Sequence, residues 1–128
     1  MNAIPQDLFF TAEHEWVRNP DGPSARIGVT EFAAAALGDV VFLSLPAPGD
    51  RVEAGGECGE IESTKSVSPL FAPVSGQVVA INEAVIDAPE LVNEDPFGAG
   101  WLFEVAPVAS GDLLGWQAYE ELTAEGTN

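Results

Sequence analysis

The stretch Glu57-Cys58-Gly59-Glu60-Ile61-Glu62-Ser63-Thr64-Lys65-Ser66-Val67-Ser68-Pro69-Leu70-Phe71-Ala72 decides how this chain is read. Glu57 to Glu62 reads as a strand and Val67 to Ala72 as its return strand, with the polar residues Ser63 to Ser66 as the hairpin tip between them. The tip carries Lys65, the single lysine of the sequence. A catalytic Schiff-base lysine needs a desolvated pocket to lower its pKa, and a Ser/Thr turn offers none. On these residues alone, a solvated surface charge is as good a reading as a functional one.

Outward from the hairpin, short apolar runs alternate with Gly and Pro clusters, the pattern of many short strands and tight turns. The fold class is therefore mainly β. Upstream, Pro46-Ala47-Pro48-Gly49-Asp50 stops a strand at Val40 to Leu45, since proline cannot donate to a sheet ladder. Thr30 caps a short helix that runs to Leu37, with Glu31 in its first turn and Gly38 just past its end. Asn19-Pro20-Asp21-Gly22 turns the chain between a segment around Trp16 and Val17 and a strand at Arg26 to Val29. Downstream, Pro73 to Gly76 is expected to be a turn into a strand at Gln77 to Ile81, and Gly100 to Val105 supplies a later strand. Leu114, Ala118 and Leu122 are spaced as one face of a C-terminal helix over about 110–125, with Gly115 a point where it can break. The 128 residues make a single domain, its core at about 10–106.

The charge balance narrows the function. Twenty-one acids against four basic residues give −17, a field that repels phosphate backbones and anionic membranes. Neither nucleic acid nor a membrane is an expected partner; proteins with basic docking surfaces are. Cys58 has no second cysteine to pair with, the first basic residue is Arg18, and no apolar run nears the ~20 residues that cross a bilayer. The chain reads as a cytoplasmic monomer.

Catalytic chemistry is hard to assemble from one His and one Cys. Hydrolytic triads and zinc sites need more of both. Gly55-Gly56 lacks the Gly-Lys-Ser/Thr of a phosphate loop and reads as a turn. Glu57 and Glu60 oppose a thiolate at Cys58, which reads as a small buried hydrophobe. His14, beside Glu15 and Trp16 with no nucleophile in sight, reads as structural or cleft-lining.

Four segments in one order carry a family resemblance. ESTKSVSPLFAPVSGQVVAIN (62–82) resembles the attachment hairpin of lipoyl domains, with the acceptor lysine at the turn. TAEHEWVR (11–18), IGVTEFAAAALGDVVFLSLPAPGD (27–50) and ELVNEDPFGAGWLFEV (90–105) resemble the H proteins of the glycine cleavage system specifically. The resemblance implies a barrel-sandwich hybrid fold with a short internal helix and a C-terminal helix. It implies lipoic acid in amide linkage on Lys65, which removes the lysine's charge, and no active site. It further implies partners: a pyridoxal-phosphate glycine decarboxylase that loads an aminomethyl group, a tetrahydrofolate-dependent aminomethyltransferase that removes it, a dihydrolipoyl dehydrogenase that reoxidises the dithiol, and a lipoate-attaching enzyme.

Glu62, three residues before the lysine, matches the family position that helps the attaching enzyme recognise the turn, and strand periodicity puts Glu60 on the same side. Glu13 and Glu15, in the segment resembling the family's cleft wall, are expected with Ser68 to receive the arm. Where many family members have Asp, this chain has Pro69, so clamping of an amine from that position is in doubt. Two other readings stay open. One is a lipoyl or biotinyl domain of a different complex, although biotinyl turns usually set Met on both sides of the lysine, where Thr64 and Ser66 stand here. The other is an unmodified acidic binding module on the same fold.

Overall fold

A computed structural model of the chain describes residues 5–126. Among these residues nine strands form two sheets. The six-stranded sheet has the order β1-β2-β3-β9-β8-β5, from β1 (Phe9–Phe10), β2 (Glu15–Arg18), β3 (Ala25–Val29), β9 (Phe103–Ser110), β8 (Val74–Ile81) and β5 (Arg51–Val52). The three-stranded sheet is β4 (Val40–Ser44), β6 (Glu57–Ser63) and β7 (Val67–Phe71), with β6 central. Both are antiparallel throughout. The mainly β expectation holds.

The core fills the space the two sheets share. Val17, Ile27, Val78, Phe103 and Val105 of the larger sheet are buried in one cluster with Val40, Leu43, Ile61 and Leu70 of the smaller. Full burial of each such side chain contributes about 1.5–3 kcal/mol. A second cluster of Leu8, Phe10, Trp16 and Tyr119 attaches the C-terminal helix α4 (Trp116–Gly126), with the rings of Phe10 and Tyr119 stacked at 4.6 Å.

Helix α1 (Glu31–Leu37) begins where its sequence directs: the Thr30 side chain accepts from the Ala33 amide, and Gly38 caps the end with φ +80° and its N–H on the Ala34 carbonyl. Two helices were not expected, α2 (Glu83–Asp87) and α3 (Leu91–Glu94).

Two expectations need correction. Pro73 to Gly76 is not a turn: β8 starts at Val74, and the strand takes in Gly76 as an irregularity in its pairing with β9. Gly76 has φ +154°, and a Cβ there would strike the Ala106 carbonyl, so glycine serves a close strand approach rather than a bend. The segment after Val105 also departs from expectation. β9 continues to Ser110, Leu114 exchanges both backbone hydrogen bonds with Phe10, and α4 begins only at Trp116. Starting there, the helix buries Tyr119 and Thr123 and half-buries Leu122, while Ala118 faces solvent.

Candidate functional site

The β6–β7 hairpin holds Lys65 in the open. Thr64 and Lys65 both keep negative φ, so the tip is not one of the primed turns whose twist suits a two-residue hairpin. Ser63 compensates. Its amide donates to the Ser66 carbonyl at 2.8 Å, and its hydroxyl oxygen accepts from the amides of Lys65 and Ser66, each at 3.2 Å. Oγ is thus the internal partner of both amides in a turn that has few others.

A neighbouring loop supports the tip. The Thr64 amide donates to the Asp39 carbonyl at 3.0 Å. A Cβ on Gly38 would lie 2.8 Å from Lys65 Cε, so the lysine stem rests over that glycine. Asn93 of α3 fastens the loop from behind. Its Nδ2 donates to the Gly38 carbonyl at 2.8 Å and its Oδ1 accepts from the Val40 amide at 2.9 Å. Reading the sequence missed Ser63, Gly38 and Asn93 as site residues, since only the fold brings them to the tip.

Between α1 and the hairpin lies a cleft of about 320 Å³, which includes Ser66 next to the lysine. Val29, Ala33, Leu37, Ile61 and Leu70 give it an apolar lining, and Glu13, His14, Glu15 and Ser68 its polar groups. The residues expected to receive an arm are therefore in one place. Pro69 also borders the cleft, and it brings no charge.

Glu15 is the unusual member. It is only 3% exposed. One carboxylate oxygen accepts from the Thr11 hydroxyl at 2.7 Å, and the other lies 3.4 Å from the Phe71 amide. Burial pushes its pKa up from the usual range to about 7; those two hydrogen bonds oppose the shift and the nearby Glu13 charge adds to it. The shift brings its titration toward neutral pH. Burial lowers the pKa of His14, so its imidazole is neutral there. Cys58 is half-buried, and burial with nearby carboxylates pushes its thiol up to about 12, as expected of an inert packing residue.

Glu60 and Glu62 sit elsewhere, on the opposite side of β6 from the buried Ile61, both exposed. Their cross-strand partners are Pro69 and Val67 on β7 and Ser44 and Phe42 on β4. Phe42 and Val67 are 59% and 56% exposed. Beside Lys65, then, lies an acidic and apolar outer face that shares only Pro69 with the cleft lining.

This arrangement, an exposed lysine at a hairpin tip over an acid-walled cleft, coincides with strong similarity to one set of proteins. The sequence profile of the glycine cleavage H-protein matches residues 8–126. The chain belongs to the glycine cleavage H-protein family. It is 57% identical to the glycine cleavage system H protein of Beutenbergia cavernae over 95% of this chain and 98% of that one. With the protein of the same name from Corynebacterium jeikeium identity is 52%, over 94% and 97% of the two chains. A crystal structure of a glycine cleavage system H protein from Mycobacterium marinum superimposes with a TM-score of 0.87 at 46% identity, covering 98% of this chain and all of that one. Membership makes the two packed sheets the barrel-sandwich of the H proteins and makes the chain a component of the glycine cleavage system. Among the described residues no helix is long and apolar enough to cross a membrane.

Proposed function

We propose that Lys65 is the lipoyl attachment site of this H protein and that the cleft beside it shelters the working end of the arm. One observation carries the reading: the chain's single lysine stands at a hydrogen-bonded hairpin tip, its stem over Gly38, next to Ser66 of a cleft whose lining includes Glu13 and Glu15. The residues fit the group. An aliphatic arm suits the apolar lining, and the exposed tip lets an attaching enzyme reach Nζ. Bound there in amide linkage, lipoic acid would supply the dithiolane that carries the aminomethyl group of glycine between enzymes.

The remaining work falls to the protein's own side chains. An ammonium brought against Glu15 favours its ionised form, so a carboxyl poised near 7 gives up its proton as the cation arrives. Shielded charge-assisted hydrogen bonds of this kind contribute roughly 1.5–3 kcal/mol each. Glu13 adds a second carboxylate to the lining and Ser68 a hydroxyl from β7. Pro69 shapes the wall without holding charge. Glu60 and Glu62 are exposed and outside the cleft lining, and on this reading they serve the lipoate-attaching enzyme rather than the arm. The partners on this reading are glycine decarboxylase, aminomethyltransferase and dihydrolipoyl dehydrogenase, served by a monomeric cytoplasmic carrier with no catalytic activity of its own.

The test is Lys65→Arg, which keeps the charge but cannot form the amide. With an unchanged unfolding midpoint, the variant is expected to support no glycine decarboxylation when reconstituted with the partner enzymes. Activity retained at the wild-type level contradicts the assignment.

A further inference from the structure

His14, the only histidine of the chain, lines the cleft and stacks on Phe32 of α1 with ring centroids 4.6 Å apart. Its backbone has φ +69°, an uncommon conformation outside glycine that persists where surrounding bonds over-determine it. Those bonds are present: its N–H donates to the Thr11 carbonyl at 3.1 Å, and its own carbonyl accepts from the Thr30 amide at 3.0 Å.

The ring is held by a chain of hydroxyls with a direction. Nδ1 lies 2.8 Å from Tyr119 Oη, and Tyr119 Oη lies 2.7 Å from Thr30 Oγ1. Thr30 is 1% exposed, and its hydroxyl has two partners among the described residues, the Tyr119 phenol and the Ala33 amide at 3.2 Å. An amide N–H only donates, so the one acceptor for the Thr30 proton is Tyr119 Oη. The phenol has a single proton, and having accepted from Thr30 it delivers that proton to Nδ1. Were Nδ1 the donor, either the phenol proton or the buried Thr30 proton would lack an acceptor among the described residues. Nδ1 is therefore bare, and the neutral ring carries its hydrogen on Nε2.

We infer that Thr30 and Tyr119 fix His14 as the Nε2–H tautomer, making it a permanent hydrogen-bond donor of the cleft that positions an acceptor atom of the arm. The role toward the arm rests on Lys65 being its attachment point; the tautomer does not. A donor cannot hold an ammonium, which is left to Glu13 and Glu15. The cleft then offers both kinds of partner, carboxylates for a cation and a His14 donor for the amide oxygen or sulfur of the same arm. Protonating His14 would reverse the chain, a second reason, beside burial, for the ring to stay neutral. Tyr119, which comes from α4, acts here as a positioning residue through His14.

A single histidine makes the test clean. Long-range ¹H–¹⁵N correlation spectra of ¹⁵N-labelled, unlipoylated protein at pH 7.5 (about one unit above the ordinary histidine pKa) are expected to show a protonated Nε2 and an unprotonated Nδ1. A protonated Nδ1, or an even mixture, overturns the inference. Tyr119→Phe keeps the ring stacked on Phe10 but removes the hydroxyl, and is expected to let the tautomers mix; an unchanged spectrum overturns the role given to Tyr119. Should that variant fail to fold, the wild-type spectrum still decides the tautomer. In lipoylated protein the Nε2–H resonance is expected to move. A resonance that stays put on a carrier shown by mass to be lipoylated overturns the positioning role, whereas failure to lipoylate Lys65 at all counts against the attachment site instead.

Discussion

The Thr64 amide donates to the carbonyl of Asp39 at 3.0 Å, tying the lysine-bearing turn to a loop 25 residues earlier in the chain. Because Asn93 holds both ends of that loop, at Gly38 and at Val40, a side chain on a short helix supports the tip without bonding to either strand of the hairpin. A rigid tip fixes where a long arm starts, and the orientation a partner meets depends on it.

Asn93→Ala tests this directly. Losing the amide leaves the Val40 N–H and the Gly38 carbonyl without their partner, at about 1–3 kcal/mol in stability. Denaturant unfolding is expected to show that loss, and hydrogen exchange at the Thr64 amide to accelerate by more than the global loss requires. Exchange that tracks global stability alone would mean that the tip is held independently of α3.

Gly38→Ala separates conformation from contact. Gly38 has φ +80° and ψ −161°, a region nearly confined to glycine, and occupation by another residue costs of order 1–3 kcal/mol. The Lys65 stem is flexible and yields to the new methyl group. The loss is therefore expected to be almost the same in wild type and in a Lys65→Ala background. A double variant restored to the stability of Lys65→Ala alone would place the cost in the contact.

Glu15→Gln carries a prediction with a definite sign. The folded carboxyl keeps its proton up to about 7, while its ordinary value is 4.5, so the folded state binds more protons between these limits. Its contribution is fully present below about pH 4.5 and fades as pH rises through 7, a total of about 3 kcal/mol at 1.36 kcal/mol per unit. Unfolding midpoints followed from pH 4.5 to 8 are expected to slope less in Glu15→Gln than in wild type, with the variant the more stable at pH 8. Parallel curves would show that Glu15 titrates normally.

The hairpin, Lys65 and the Thr30-capped helix were legible because each rests on neighbours in sequence: a polar tetrad between two runs, or a hydroxyl three residues before the amide it caps. The grouping of Glu13, Glu15 and Ser68 came through family resemblance, and the fold brings all three to one cleft. What was missed is long-range or short. Helices α2 and α3 have five and four residues, too few to show a period. Val74 and Ser75 of β8 were hidden between a proline and a glycine that resemble a turn. The contact of His14 with Tyr119 spans 105 residues and leaves no local trace. The start of α4 was misplaced because Leu114 fits its spacing but pairs with Phe10 instead.

Docking should respond to salt. With −17 on the chain and Glu60 and Glu62 flanking the tip, affinity for glycine decarboxylase is expected to fall as added salt shortens the Debye length from about 10 Å at 0.1 M toward 3 Å at 1 M. An affinity indifferent to salt would point to Phe42 and Val67, not the carboxylates, as the surface that binds.

The most direct measurement of the carrier assignment is peptide mapping by mass spectrometry of the protein isolated from its own host under conditions that induce glycine breakdown. The account predicts that the peptide containing Lys65 bears one lipoyl group in amide linkage and that no other residue is modified in this way. Unmodified Lys65 throughout, in cells whose other lipoyl proteins are fully modified, would contradict it and leave an acidic binding module on the H-protein fold.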